Sequence, residues 1–337
     1  MAFAFGDSVA HYATGNIGQK WTQYGAVSIV NNTIVLLANG FISKTLPPQN
    51  GWYVGFDWSG GASWPNGNIY GNAAVFVEPG FTGTANILTL ISNSDGTFSL
   101  TTGSSVIIAT TTNSYHAGTQ YFIEVETQLS GNPITVTGTL RINGEVVILN
   151  ATGNTGVNNI NLLFNEQSLS NQHTWFGSGT GVTISNIYIN DNNDIDSTNN
   201  TFMGPIETGS IYPDEDVTVE WALSTGTSAY ALIDEHPPDD DNSTIFDGNV
   251  GDVATFYFQN VESIVGQLQA IHVGFYARRD AEGIRGIQLL VNTVETGPVF
   301  YLSDDYVYYF IPLDTINGVP LTAALVNATT FGVKLVV

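Results

Sequence analysis

The chain has 337 residues, beyond the usual size of one domain of roughly 100 to 200 residues, and 43% of it is hydrophobic and 12% aromatic, enough for two packed interiors. Only 11% of residues are charged, and the formal net charge is −23. With seven Lys and Arg in all, the composition argues against nucleic acid and against anionic membrane surfaces as partners, and the absence of Cys excludes disulfides, thiolate metal sites and a Cys nucleophile.

The N-terminal segment MAFAFGDSVAHYATG lacks a basic stretch followed by a sustained apolar run, so no signal peptide is expected, and no run of about 18 apolar residues suggests a membrane helix. The expectation is a soluble product of the cytoplasm that reaches its final place by assembly. Apolar residues recur at period two almost throughout, separated by Gly, Asn, Asp, Ser and Thr, which predicts short antiparallel strands in an all-β architecture. Residues 52–58 place Trp52, Phe56 and Trp58 on one parity, the signature of a core-facing strand. Trp64 and Tyr70 follow in a Gly/Asn-rich context and are the candidate exposed aromatics for stacking on a sugar ring.

Residues 121–127 form the next strong strand, in which Glu124 and Glu126 alternate with Ile123 and Val125 and are expected to face water. Two carboxylates at i, i+2 share a face, the spacing a glycosidase could use, though any solvated strand face shows it too. The clearest hairpin spans 135–150: Val136, Gly138, Leu140 and Ile142 alternate with polar residues, Asn143-Gly144 supplies a type I′ turn, and Glu145 begins the return. After an apolar run at 182–190, the segment DNNDIDSTNN has no core-forming periodicity and is placed at the domain boundary. Asp191, Asp194 and Asp196 within it are equally linker residues or cation ligands.

Beyond the boundary, strands are predicted over 217–221, 253–258, 271–277, 285–291, 299–302, 306–311 and 331–337. The expected architecture is two antiparallel sandwich or jelly-roll domains, 1–195 and 196–337, with one large jelly roll as the alternative. The stretch 234–252 holds Asp234, Glu235, Asp239, Asp240, Asp241, Asp247 and Asp252. Oxygen-rich loops of this kind can take Ca²⁺, but the EF-hand spacing is missing, so a plain solvated loop is the simpler reading and no cofactor is implied. His11, His116, His173, His236 and His272 lack any H-x-x-x-H spacing, no G-x-S-x-G elbow precedes a helix, and no phosphate-cradling glycine loop is present.

The segment YHAGTQYFIEVET followed by TGTLRINGEVVIL resembles the concanavalin-A-like, laminin-G-type sandwich over about the first 190 residues. The whole layout resembles a family of tailed-bacteriophage virion proteins in which such a domain precedes a small β domain. That family carries a "vDE-x-PPD-x-D" loop, matched here by Asp234, Glu235, Pro237, Pro238, Asp239 and Asp241, and an "a-x-ARKD-x-G-x-R" segment, matched by Ala277, Arg278, Arg279, Asp280, Gly283 and Arg285. Where family members often have Asp-Val-Arg after the junction glycine, this chain has Gly204-Pro205-Ile206-Glu207, so any role of that basic residue is lost.

The resemblance implies a non-enzymatic structural or accessory protein of the phage particle. Its location would be the virion, and its partners other virion proteins, the major capsid protein or tail proteins, and further copies of itself. Head decoration is the leading expectation; the alternative is a compact tail-associated adhesin that holds a host surface glycan through Trp64 and Tyr70. An ion-pair network joining Arg278, Arg279 and Arg285 to Asp234, Glu235 and Asp280 is also expected.

Overall fold

In the computed structural model, residues 3–10, 17–21, 23–46, 51–60, 76–79, 88–93, 95–102, 106–116, 118–131, 133–155, 172–177, 182–191, 201–262, 267–280 and 282–337 are described. The chain is all-β and antiparallel, and it divides into two compact units, one built on Met1–Ala10 with Thr14–Thr208 and the other carrying Gly209–Val337. The first unit therefore runs on past the 195 expected from composition.

The first unit contains β1 (Phe3–Asp7), a short helix α1 (Ile17–Lys20), β2 (Gln23–Val30), β3 (Thr33–Leu46), β4 (Gly51–Ser59) and β5 (Phe76–Pro79). It continues with β6 (Thr89–Ser92), β7 (Phe98–Thr102), β8 (Val106–Thr110), β9 (Gln120–Ser130), β10 (Thr135–Ile142), β11 (Glu145–Asn154), β12 (Gln172–Gly177) and β13 (Val182–Asp191). Ten of these form one antiparallel sheet ordered β11-β10-β9-β4-β13-β3-β12-β5, with β1 joined to β13 and β2 to β3; β6, β7 and β8 form a second sheet. The β10–β11 hairpin turns at Asn143 (φ 53°) and Gly144 (φ 82°), the left-handed pair a type I′ turn needs.

One face of the large sheet packs on the small one. Trp58 meets Phe98 edge-on at 5.2 Å, Tyr115 meets Tyr121 at 5.2 Å, and the Thr102 hydroxyl donates to the Asn154 carbonyl at 3.1 Å. Trp52, Val54, Phe56 and Trp58 of β4 are buried between the layers, as their parity requires. A second interior contact lies beside α1, where buried Asp7 accepts from Lys20 Nζ at 3.1 Å and from the Trp21 indole at 2.8 Å. The Lys44 ammonium donates to the Lys20 carbonyl at 2.6 Å and sits over the Phe5 ring.

The second unit holds β14 (Pro213–Val219), β15 (Ala222–Leu223), β16 (Ile245–Phe246), β17 (Val253–Phe258), β18 (Ile271–Ala277), β19 (Gly286–Val291) and β20 (Val294–Tyr301). After these come β21 (Val307–Leu313), β22 (Thr315–Ile316), β23 (Val319–Pro320), the helix α2 (Ala323–Asn327), capped by the Thr322 hydroxyl, and β24 (Phe331–Leu335). A five-stranded sheet β14-β17-β24-β19-β20 faces the β18–β21 pair. Leu289, Val291 and Phe331 from the first layer pack with Ile311, Leu313, Ile271 and Val273 from the second, and Val326 of α2 closes the core.

Candidate functional site

The face of the large sheet turned away from the small one carries the most unusual chemistry in the first unit. Strand register sets one row across it: Arg141 on β10 lies opposite Glu124 on β9, Glu124 opposite Gly55 on β4, Gly55 opposite Tyr188 on β13, and Tyr188 opposite Gly6 on β1. Gly55 is the key to the row. A Cβ there would stand 2.0 Å from Tyr188 Cε1, so only glycine lets the Tyr188 ring lie flat across β4 and reach β9. The Tyr188 hydroxyl then donates to Glu124 Oε1 at 2.6 Å while its ring stacks on Phe122. Burial and the facing carboxylate push the Tyr188 phenol far above its usual range, which fixes it as a proton-bearing donor.

Glu124 was expected to face water and does not: it is 0% exposed. The reason is a strap, residues 201–208, that folds back over this face instead of leading away from it. The Gly204 amide donates to Glu124 Oε1 at 2.7 Å, the Met203 amide to the Tyr188 hydroxyl at 3.1 Å, and the Thr208 amide to Asn186 Oδ1 at 3.0 Å. Phe202 fills the space between Tyr53, edge-on at 5.1 Å, and the Arg141 guanidinium, 4.4 Å above its ring. Glu126, one row along, is half-buried and accepts from the Tyr53 hydroxyl at 3.1 Å; burial and Glu126 raise that phenol to about 12. At the far end Asn186 donates to Asp57 at 2.6 Å, and burial of the Asp57 carboxyl together with nearby Glu207 raises its pKa despite that bond.

The two carboxylates thus share a face, but each is already engaged as a hydrogen-bond acceptor, and the arrangement serves to hold a peptide strap by its main-chain N–H groups. Glu124 Oε2 and Arg141 Nε make no hydrogen bond among the described residues. Neither the strap nor its seat left a signal in the sequence beyond the parity of Glu124 and Glu126.

In the second unit the acidic loop and the Arg-rich segment come together. Arg278 Nη2 donates to both carboxylate oxygens of Asp241 at 3.0 Å, and the guanidinium lies over the Tyr306 ring. The Tyr306 hydroxyl donates to Asp241 at 2.8 Å and the Tyr276 hydroxyl to Asp240 at 2.9 Å, with Tyr276 stacked on Tyr306 and tilted against Tyr308. Donation from Tyr306 and Arg278 keeps the Asp241 carboxyl below the ordinary range. Asp239 caps the loop by accepting from the Ser243 amide and hydroxyl, and His236 stacks on Tyr212 at 4.4 Å.

The ion pairs differ from those expected: Arg278 meets Asp241 and Arg279 meets Asp304, while the Arg285 guanidinium donates to the Ile284 carbonyl, so Asp234, Glu235 and Asp280 are not the partners. The expected acids were those of the two matched segments, whereas strand pairing of β18 with β21 brings Asp304, outside both, beside Arg279. Asp239, Asp240 and Asp241 accept from protein donors, and no group of three or more His, Cys, Asp or Glu side chains suited to a metal occurs among the described residues. Trp64, Tyr70, Asp194 and Asp196 lie outside the described residues.

No protein-family model and no curated protein matches the chain. Among solved structures, similarity extends to a Trypanosoma rangeli sialidase in complex with the inhibitor DANA, at 12% identity over 50% of this chain and 26% of that one with a TM-score of 0.35. The chain thus spans about a quarter of that sialidase. The carbohydrate recognition domain of Emp46p is similar at 11% identity over 54% of this chain and 93% of that one, with a TM-score of 0.37. The alginate lyase vAL-1 from Chlorella virus is similar at 9% identity over 55% and 100%, with a TM-score of 0.36. At these identities and TM-scores the likeness assigns neither activity nor ligand.

Proposed function

We propose that the chain is a non-enzymatic structural protein of a tailed-bacteriophage virion, a decoration or accessory protein on the particle surface whose first unit is a concanavalin-A-like sandwich. The observation that carries the reading is the meeting of the two segments on which the family resemblance rests. The loop bearing Asp239 and Asp241 and the segment bearing Arg278 and Arg279 form one cross-braced unit through the Asp241–Arg278 ion pair and the Tyr306 hydroxyl. Such a motif is built as a stiff, low-entropy surface feature, in keeping with repetitive packing. The first unit supports the same reading, since Glu124 and Glu126 are spent on holding the strap and Tyr53.

Quantitative mass spectrometry of purified particles against the major capsid protein, with labelled imaging, tests the proposal. Hundreds of copies over the head are expected. A few copies confined to the tail would overturn decoration in favour of the adhesin, and absence from particles would overturn the virion assignment altogether.

A further inference from the structure

We infer that β8 is a self-association edge, at which two copies of the chain pair antiparallel about a twofold axis and fuse their three-stranded sheets into one of six strands. β8 is the end strand of its sheet and pairs with β7 alone among the described residues. Its sequence, Val-Ile-Ile-Ala-Thr, has no charge, no Pro and no Gly, and Val106 and Ile107 are 63% and 62% exposed. End strands left open to solvent are normally blunted by charges, Pro or bulges. The second unit follows that practice: β14 carries Asp214, Glu215 and Asp216 and two register shifts, and β20 carries Glu295, Gly297 and Pro298. β8 carries one register shift, with Ile108 as the extra residue, and neither a charge nor a Pro. Beside it β11, the end strand of the large sheet, exposes Leu149 and Val146.

A second copy is the occupant these features specify. From residue 96 to residue 119 the chain has no Asp, Glu, Lys or Arg, although its net charge is −23. Two such anions repel wherever acidic surfaces meet, and this uncharged stretch is where they can approach without opposing carboxylates. It offers no acidic group to recognise a basic partner instead. Antiparallel pairing of identical strands is self-complementary, which suits a twofold contact. The pairing also closes on itself, because β6, the other end strand of the sheet, is buried along most of its length. A dimer results, and no fibre.

The inference is independent of a virion role and is tested on the full chain. Sedimentation velocity across about 1 to 100 µM should show a concentration-dependent dimer, and hydrogen exchange should show alternate β8 amides slowed in step with the dimer fraction. Ile107→Lys, at an exposed position, should weaken dimerisation at least tenfold and leave the melting temperature of the monomer unchanged. A monomer at every concentration, a dimer indifferent to Ile107→Lys, or open-ended assembly would each overturn it, as would unprotected β8 amides in a dimer.

Discussion

Glu124 shows how a single glycine decides the environment of a residue on a neighbouring strand. Because Gly55 lets Tyr188 cross β4, the carboxylate of Glu124 gains a phenol donor and an amide donor on one oxygen. Removing it by Glu124→Ala leaves the Tyr188 hydroxyl and the Gly204 amide without their acceptor, and a loss of about 3 kcal/mol is expected in urea unfolding. Glu124→Gln, which keeps an acceptor oxygen, should cost clearly less; equal losses would contradict the geometry. Lys44 supplies a second test at this scale. Burial, with the neighbouring Lys20 ammonium, lowers it to about 8. Between that value and the unfolded pKa of about 10.4 the unfolded chain holds a proton that the folded chain has released, so this residue's contribution to stability rises with pH across the window. The stability difference between wild type and Lys44→Met should shift by about 2 to 3 kcal/mol in favour of wild type from pH 7 to pH 10. No shift would show that Lys44 stays charged.

At the scale of elements, the hairpin and the strap mark the two ends of what a linear pattern can convey. The β10–β11 hairpin is written locally: alternation, Asn143-Gly144, alternation again. The alternation of β9 is equally plain, yet it misplaces Glu124, since alternation identifies two faces and does not say that the second face is covered as well. What covers it is the strap, whose residues have no periodicity and whose anchors lie 80 positions away at Glu124. The acidic loop was legible as a cluster of charge but not as a brace, because its donors, Arg278, Tyr306 and Tyr276, arrive from β18 and its surroundings through long-range pairing. Asp241→Asn should loosen that brace. Limited proteolysis within residues 234–247 is expected to become several-fold faster, with the cleavage pattern elsewhere unchanged; an unaltered rate would show that the loop is held by other contacts.

For the whole molecule, composition had already set the terms: ample apolar mass, little charge, and that charge overwhelmingly acidic. The few cations are accordingly used one by one at specific places, Lys20 on buried Asp7, Lys334 on Glu295, Arg278 on Asp241 and Arg279 on Asp304. The strap carries a consequence for how such a chain diversifies. Since residues 201–208 complete the first unit, a gene exchange that brings in a new second unit at residue 195 would strip a buried carboxylate of its cover. The same exchange at Gly209 would leave the first unit whole. The position at which an exchange would keep Glu124 covered therefore lies at the end of the strap.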